Sequence, residues 1–344
     1  MLAARLTAAL FLVAAAAAAR PAPAQRAPTT TATLARPTLS VAPARPARGA
    51  VVQVIVRGGT PRGGTPRGGT SRTPADSVTG ARGTLAGEAL HFERLPSGRL
   101  RALGGVPVDA ADSLIVQVTV ERASGRVDTL AARVPVAGPP PTPPAAARPA
   151  ERLRVAAEFG REPDSALAAR IAREGTMARE VGRRAHDTPK LWRGSFLRPR
   201  ASRITSRFGT GREFNGAVRS SHQGIDFAGK LGEPVRATNR GVVALVGDFH
   251  LAGRVVYVDH GAGLVTAYFH LSATEVAVGD TVTRGQVIGR VGQSGRVTGP
   301  HLHWAARYGT LVVNPLTLLA IDRPPPAARK PAPRRPVRRI RGTL

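Results

Sequence analysis

The chain is predicted to be mainly β, with two antiparallel β bodies joined by a short helical segment, and three observations carry that prediction. Short apolar runs bounded by turn signals recur over residues 51–136 and again over 190–320, at the spacing of small sandwiches and sheets. Glycine and proline are abundant, at 38 and 30 of 344 residues, while aromatics make up only 4%, which favours modest β domains separated by open linkers over one large packed body. Helical spacing of apolar residues is confined to Asp164–Arg184, where Leu167, Ile171 and Met177 stand among charges.

Taken in order, residues 1–24 have the form of an export signal. Arg5 supplies the positive start, Leu6–Ala19 an apolar run of 14 residues, and Ala22-Pro23-Ala24 a small-residue cleavage site before Gln25. Fourteen residues fall short of the roughly 20 needed to span a bilayer, so no stable transmembrane segment is expected after signal removal. Residues 25–49, rich in Ala, Pro, Arg and Thr, are expected to be a disordered linker. A β-sandwich is expected over 50–137, beginning with a strand at Val51–Val56 and continuing with strands near Thr84–Ala86, Ala89–Leu95, Leu114–Val120 and Val127–Val134. The repeat RGGTP-RGGTP-RGGTS at 57–71 reads as a solvated insertion in that sandwich. A Pro/Ala linker (138–149) and a helical connector (150–189), expected to brace the two bodies, lead to a second β domain at 190–322. Its strands are expected near Gly241–Val246, Val255–Asp259, Leu264–His270, Val287–Val291 and His301–Tyr308. A Pro/Arg-rich tail, 323–344, is expected to be disordered.

Composition excludes several classes. With no cysteine, there can be no disulfide framework, thiolate metal site or lipidated cysteine. The net charge of +28 is dispersed arginine excess, without zinc-finger spacing, an aromatic single-strand platform or a DNA-binding motif, so no nucleic-acid partner is expected. For an exported protein the natural counterpart of that charge is an anionic envelope polymer, met above all by the basic tail.

The chemistry concentrates in histidine. Six of the eight lie between 222 and 303, within the second β region. In His222-Gln-Gly-Ile-Asp226, a fully extended chain would hold the outer residues about 13 Å apart, too far for a common ion at ligand bonds of roughly 2.0–2.2 Å. The backbone must therefore bend, and Gly224 is expected to permit it. In Gly299-Pro-His301-Leu-His303, residues two apart share a strand face, so both imidazoles point one way and Leu302 points into the core. Tyr268-Phe-His270 ends a further strand. Together these segments offer two imidazoles and a carboxylate for a zinc ion with one open position, the catalytic pattern, and leave two histidines as acid, base or hydrogen-bond donor. No His-Glu-x-x-His occurs, which excludes the zinc peptidases with a glutamate base on a helix. His91, His250 and His260 read as structural, the last as a turn or groove-wall residue.

From RITSRFG at 203–209 the chain continues through SSHQGIDFAGKLGEPVRATNRGVV, VVYVDHGAGLVTAYFHLS and VAVGDTVTRGQVIGRVGQSGRVTGPHLHW to Val313-Asn314-Pro315-Leu316. These blocks, over roughly 195–320 and in unbroken order, resemble the lysostaphin-type (LytM-type) zinc metallopeptidases. The resemblance implies a LytM-type antiparallel sheet, one Zn2+ per chain held by His222, Asp226 and His303, and His301 as the residue that activates the attacking water. It further implies His270 as the group that polarises the carbonyl or stabilises the oxyanion, peptidoglycan peptides as substrates, and a place in the periplasm or cell envelope. Phe269 stands where alanine is usual. More weakly, Val51–Val136 resembles the immunoglobulin-like domain that precedes such peptidases, with the repeat as a departure. Family members that only bind the wall and activate another hydrolase are the alternative; they typically lack zinc ligands, whereas all five positions are present here.

Overall fold

The computed structural model describes residues 36–58, 77–138 and 151–322. The expected signal, nearly all of the glycine-threonine repeat, the Pro/Ala linker after Gly138 and the basic tail lie outside the described residues.

The N-terminal body is a two-sheet sandwich. Its strands are β1 (Thr38–Ala42), β2 (Val51–Arg57), β3 (Val78–Leu85), β4 (Glu88–His91), β5 (Glu93–Arg94), β6 (Leu100–Gly105), β7 (Ser113–Arg122) and β8 (Val127–Pro135). One antiparallel sheet runs β1-β2-β6-β5 and the other β4-β3-β7-β8. The period-2 valines make the core: Val52, Val54 and Val56 from β2 meet Val116, Val118 and Val120 from β7, with Leu85, Leu90 and Leu100 between them. Strand β1 corrects the expectation of disorder over 36–49; residues 25–35 of that expected linker lie outside the described residues. Thr38–Ala42 pair residue for residue with β2, and Leu39 and Val41 lean on the sandwich core, an alternation concealed by the flanking prolines. Strand β6 was not expected either, because all six of its residues are buried and its sequence does not alternate.

The C-terminal body contains β9 (Glu151–Leu153), helix α1 (Ser165–Arg184), β10 (Ile204–Ser206), β11 (Gly211–Phe214), β12 (Val218–Ser221), β13 (Ile225–Ala228) and β14 (Pro234–Arg236). It continues with β15 (Gly241–Phe249), β16 (Gly253–Gly261), β17 (Leu264–Thr274), β18 (Thr281–Val282), β19 (Val287–Val291), β20 (His301–Tyr308) and β21 (Leu311–Val313). The main sheet is ordered β10-β13-β20-β17-β16-β15-β18, with β21 on β20 and with β19 pairing both β14 and β17. A small sheet, β12-β11-β9, stands beside it, β9 running parallel to β11.

Helix α1 starts where Asp164 accepts a hydrogen bond from Leu167 N. It covers the outer face of β15–β17, with Ala178 and Val181 packed in one cluster with Leu245, Phe249, Tyr257 and Val265. Gly182 permits the close approach, since a Cβ there would lie 1.9 Å from Gly309 O. Met177, expected on the apolar stripe, is instead exposed. The helix thus belongs to the C-terminal body and braces only that body. The two bodies meet through other residues. Val51 and Leu103 of the sandwich share a buried cluster with Trp192, Leu264 and Tyr308, and Tyr308 OH donates to Ala89 O at 2.7 Å. His186, just beyond α1, joins His91 on one ring nitrogen and Glu88 on the other, each at 2.8 Å.

Candidate metal centre

Strand register assembles the site. In the pairing of β13 with β20, Asp226 stands opposite His303; in the pairing of β20 with β17, His303 stands opposite Phe269. His222 arrives from the segment between β12 and β13. His222 Nδ1 donates to Arg207 O at 2.9 Å, which leaves Nε2 bare, 3.0 Å from Asp226 Oδ1 and 3.0 Å from His303 Nδ1. His303 Nδ1 is 2.9 Å from Asp226 Oδ1. All three residues are buried, and their three atoms converge on one point. Ligands of a tetrahedral zinc at bonds of about 2.0–2.1 Å would stand about 3.3 Å apart, so the set fits such an ion with a slight expansion.

The surroundings fix these ligands. Arg212 donates to Asp226 Oδ2 and to Glu151, which turns Oδ1 toward the centre. Burial acts to raise the Asp226 pKa, but its close contacts with the His222 and His303 rings outweigh it and hold the carboxyl well below the usual carboxylate range. Burial pushes His303 down to about 4 against the hydrogen bond with Asp226, so the ring is neutral near pH 7, as a metal ligand must be. The Phe269 ring lies flat on His303, with centroids 5.1 Å apart and planes at 9°.

His270 and His301 flank the centre, their rings 4.9 Å apart. His270 sits at a bulge, where Tyr268–Leu271 of β17 face only Val256–Arg254 of β16, and its φ of 62° lies in the left-handed region. That costly conformation re-aims the side chain into the groove. Its Nδ1 donates to Ser294 O at 2.8 Å, and burial together with His301 and His303 pushes its pKa well below the ordinary value. His301 Nδ1 donates to Gly299 O at 2.8 Å, and its Nε2 lies 3.8 Å from Asp226 Oδ1. Each of the two rings therefore presents an unprotonated Nε2 to the same space, on the tautomers assigned from these contacts.

The five predicted residues are thus brought together, with one correction nearby. The chain bends at Gly224, as expected, with a φ outside the left-handed region, and glycine is further required there because a Cβ would fall 2.4 Å from His303 Nε2 and 2.7 Å from Trp304 O. His260 is a core residue of β16 rather than a turn or groove wall, fully buried with Nδ1 against Arg240 O and Nε2 against Thr266 Oγ1, each at 2.8 Å. Sequence reasoning passed over Arg212 and Arg296, because two arginines in an arginine-rich chain carry no distinguishing pattern.

A groove runs over the centre in two parts of about 750 Å³ and 340 Å³. Arg212, Phe214, His270 and Arg296 line both parts, so the halves meet beside the ligands. Three converging donor atoms that could hold a cation, with two further imidazoles beside them, thus stand in an open groove. Residues 220–315 match the profile of peptidase family M23.

Two relatives are similar over the same region. The DD-carboxypeptidase/endopeptidase Mpg of Neisseria meningitidis is 46% identical over 97 residues, covering 28% of this chain and 22% of that protein. The peptidoglycan DD-endopeptidase ShyA of Vibrio cholerae is 44% identical over 103 residues, covering 30% of this chain and 24% of that protein. The aligned stretch thus spans about a quarter of the relatives' length. A crystal structure of a putative M23 peptidase from Pseudomonas aeruginosa is similar over 70% of this chain and 87% of its own, at 27% identity and a TM-score of 0.53. That likeness extends beyond the matched domain. Among the described residues no helix is long and apolar enough to cross a membrane.

Proposed function

We propose that this chain is an exported zinc endopeptidase that hydrolyses peptide cross-links of bacterial peptidoglycan in the periplasm or cell envelope. The observation that carries the reading is the convergence of His222 Nε2, Asp226 Oδ1 and His303 Nδ1 within 3.0 Å of one another, beside two imidazoles that are not needed as ligands. The named activities of the M23 relatives supply the substrate class.

Bound by those three residues, a zinc ion would supply Lewis-acid polarisation and lower the pKa of water toward about 7. The remaining work falls to the chain. His301, with Nδ1–H tied to Gly299 O, is the base: it is the more accessible of the two rings, and its Nε2 takes the proton of the attacking water and returns it to the leaving amine. His270 faces the oxyanion. To donate there its Nε2 must take up a proton, which the developing negative charge of the oxyanion favours against the burial that lowers its pKa in the free site, while Ser294 O holds the ring through Nδ1–H. The groove on both sides of the centre accommodates an extended peptide. The basic tail and the arginine-rich surface suit contact with anionic envelope polymers.

Mass spectrometry of muropeptides from purified sacculi tests this reading. Incubation with the full chain should release uncross-linked peptides, chelation should stop the release, and zinc should restore it. An unchanged muropeptide profile from protein that holds one zinc per chain would overturn it.

A further inference from the structure

The nine residues between β19 and β20, Gly292–Pro300, do three things at once. Ser294 O anchors His270, Gly299 O anchors His301, and Arg296 is carried between them. The Arg296 guanidinium lies over the Phe214 ring, with Cζ 3.9 Å from the centroid, and borders both halves of the groove. A cation–π seat fixes the plane of the guanidinium while its N–H donors stay available.

Its electrostatics are unbalanced. Arg212, on the same wall, has its charge answered by Asp226 and Glu151. Arg296 makes no ion pair and no side-chain hydrogen bond among the described residues, and the charge it faces is that of Arg212. Burial, with Arg212 adding to it, lowers its pKa to about 10, so it remains a cation at neutral pH. A half-buried, unpaired guanidinium beside a hydrolytic centre is a costly arrangement that an anionic substrate group would relieve, with the bidentate geometry that suits a carboxylate.

We propose that Arg296 is a specificity-determining residue that reads a free carboxylate on the substrate, on the carbon that bears the leaving amine. The location supports that placement. Arg296 and His270 both line the two groove halves where they meet, so a group held by Arg296 lies on the same stretch of groove as the residue that faces the oxyanion. The favoured substrates are then peptides whose leaving residue carries an uncapped α-carboxylate, either at a chain end or within a branched cross-link. This rests on reading the site as a hydrolytic centre.

The test uses the full chain loaded with zinc, and N-acetyl-D-alanyl-D-alanine paired with its C-terminal amide. Affinity is measured by calorimetry in a His301→Ala background, and cleavage is followed separately with His301 intact. The acid should bind about tenfold or more tightly than the amide, the usual worth of a charge-assisted hydrogen bond. Arg296→Gln should bring the acid down to the affinity of the amide and leave the amide unchanged, while Arg296→Lys should restore part of the preference. The same preference in kcat/KM should vanish with Arg296→Gln. Equal binding of acid and amide by the His301→Ala protein would overturn the proposal, as would an acid preference that survives Arg296→Gln, since the ion or Arg212 would then be reading the carboxylate. If binding follows Arg296 but the chain with His301 intact cuts neither peptide, carboxylate recognition stands and the hydrolase reading fails.

Discussion

At the scale of single residues, the site was legible where chemistry coincides with strand period. His301 and His303 share a face because they are two apart, and Leu302 between them is fully buried. Three-dimensional reasons were not legible. His270 owes its direction to a bulge and a left-handed φ that no spacing announces, and Gly224, besides making the bend, is required by the nearness of His303. Gly224→Ala is therefore predicted to displace His303: the added methyl meets a ligand ring and a backbone carbonyl, neither of which can yield cheaply. Overpacking of this kind costs about 1–3 kcal/mol, and the variant should show a lower Tm and weaker zinc affinity by competition with a chelating dye. Zinc affinity equal to that of the parent would show that the ring has room to move.

At the scale of elements, the expected strands of the C-terminal body are present, because their alternation and turn glycines are strong local signals. β6 escaped notice because burial on both faces removes the alternation, and β1 because five residues between prolines offer too short a window. His260 shows how an element hides a role. Its D-H-G-A-G context suggests a turn, yet the residue lies within β16 and the turn follows at Ala262 and Gly263. Burial pushes its pKa down to about 4, so the folded protein holds it neutral where an unfolded chain, with a pKa near 6.5, would take up a proton. The stability it contributes is full above about pH 6.5 and is lost as pH falls toward 4, on the order of 3 kcal/mol in all. Nuclear magnetic resonance of the His260 ring in the metal-free protein should give a midpoint near 4, and a midpoint near 6.5 would contradict the buried placement.

At the scale of the whole molecule, the division into two β bodies was readable, whereas their mutual dependence was not. A domain beginning at residue 190 leaves out α1, which covers Leu245, Phe249, Tyr257 and Val265 on the outer face of the sheet. It also leaves out Val51 and Leu103, which share the main buried cluster. Such contacts join residues more than sixty positions apart, beyond the reach of any local pattern. A fragment of residues 36–322 is predicted to be soluble and to retain metal, while 190–322 should aggregate or expose apolar surface to a hydrophobic dye. Equal solubility and dye binding of the two fragments would show that the helix and the sandwich are dispensable.

The central claim is that three residues hold an ion, a fourth moves protons and a fifth faces the oxyanion, and paired assays of one set of variants in the full chain address it. Zinc content by elemental analysis and cleavage rate on sacculi are measured together for His303→Ala, His301→Ala and His270→Ala. The geometry predicts that His303→Ala loses both zinc and activity. His301→Ala and His270→Ala should keep close to one zinc per chain and lose on the order of 10²–10⁴ in rate. Loss of zinc from His301→Ala as complete as from His303→Ala, or parental cleavage by all three, would contradict the account.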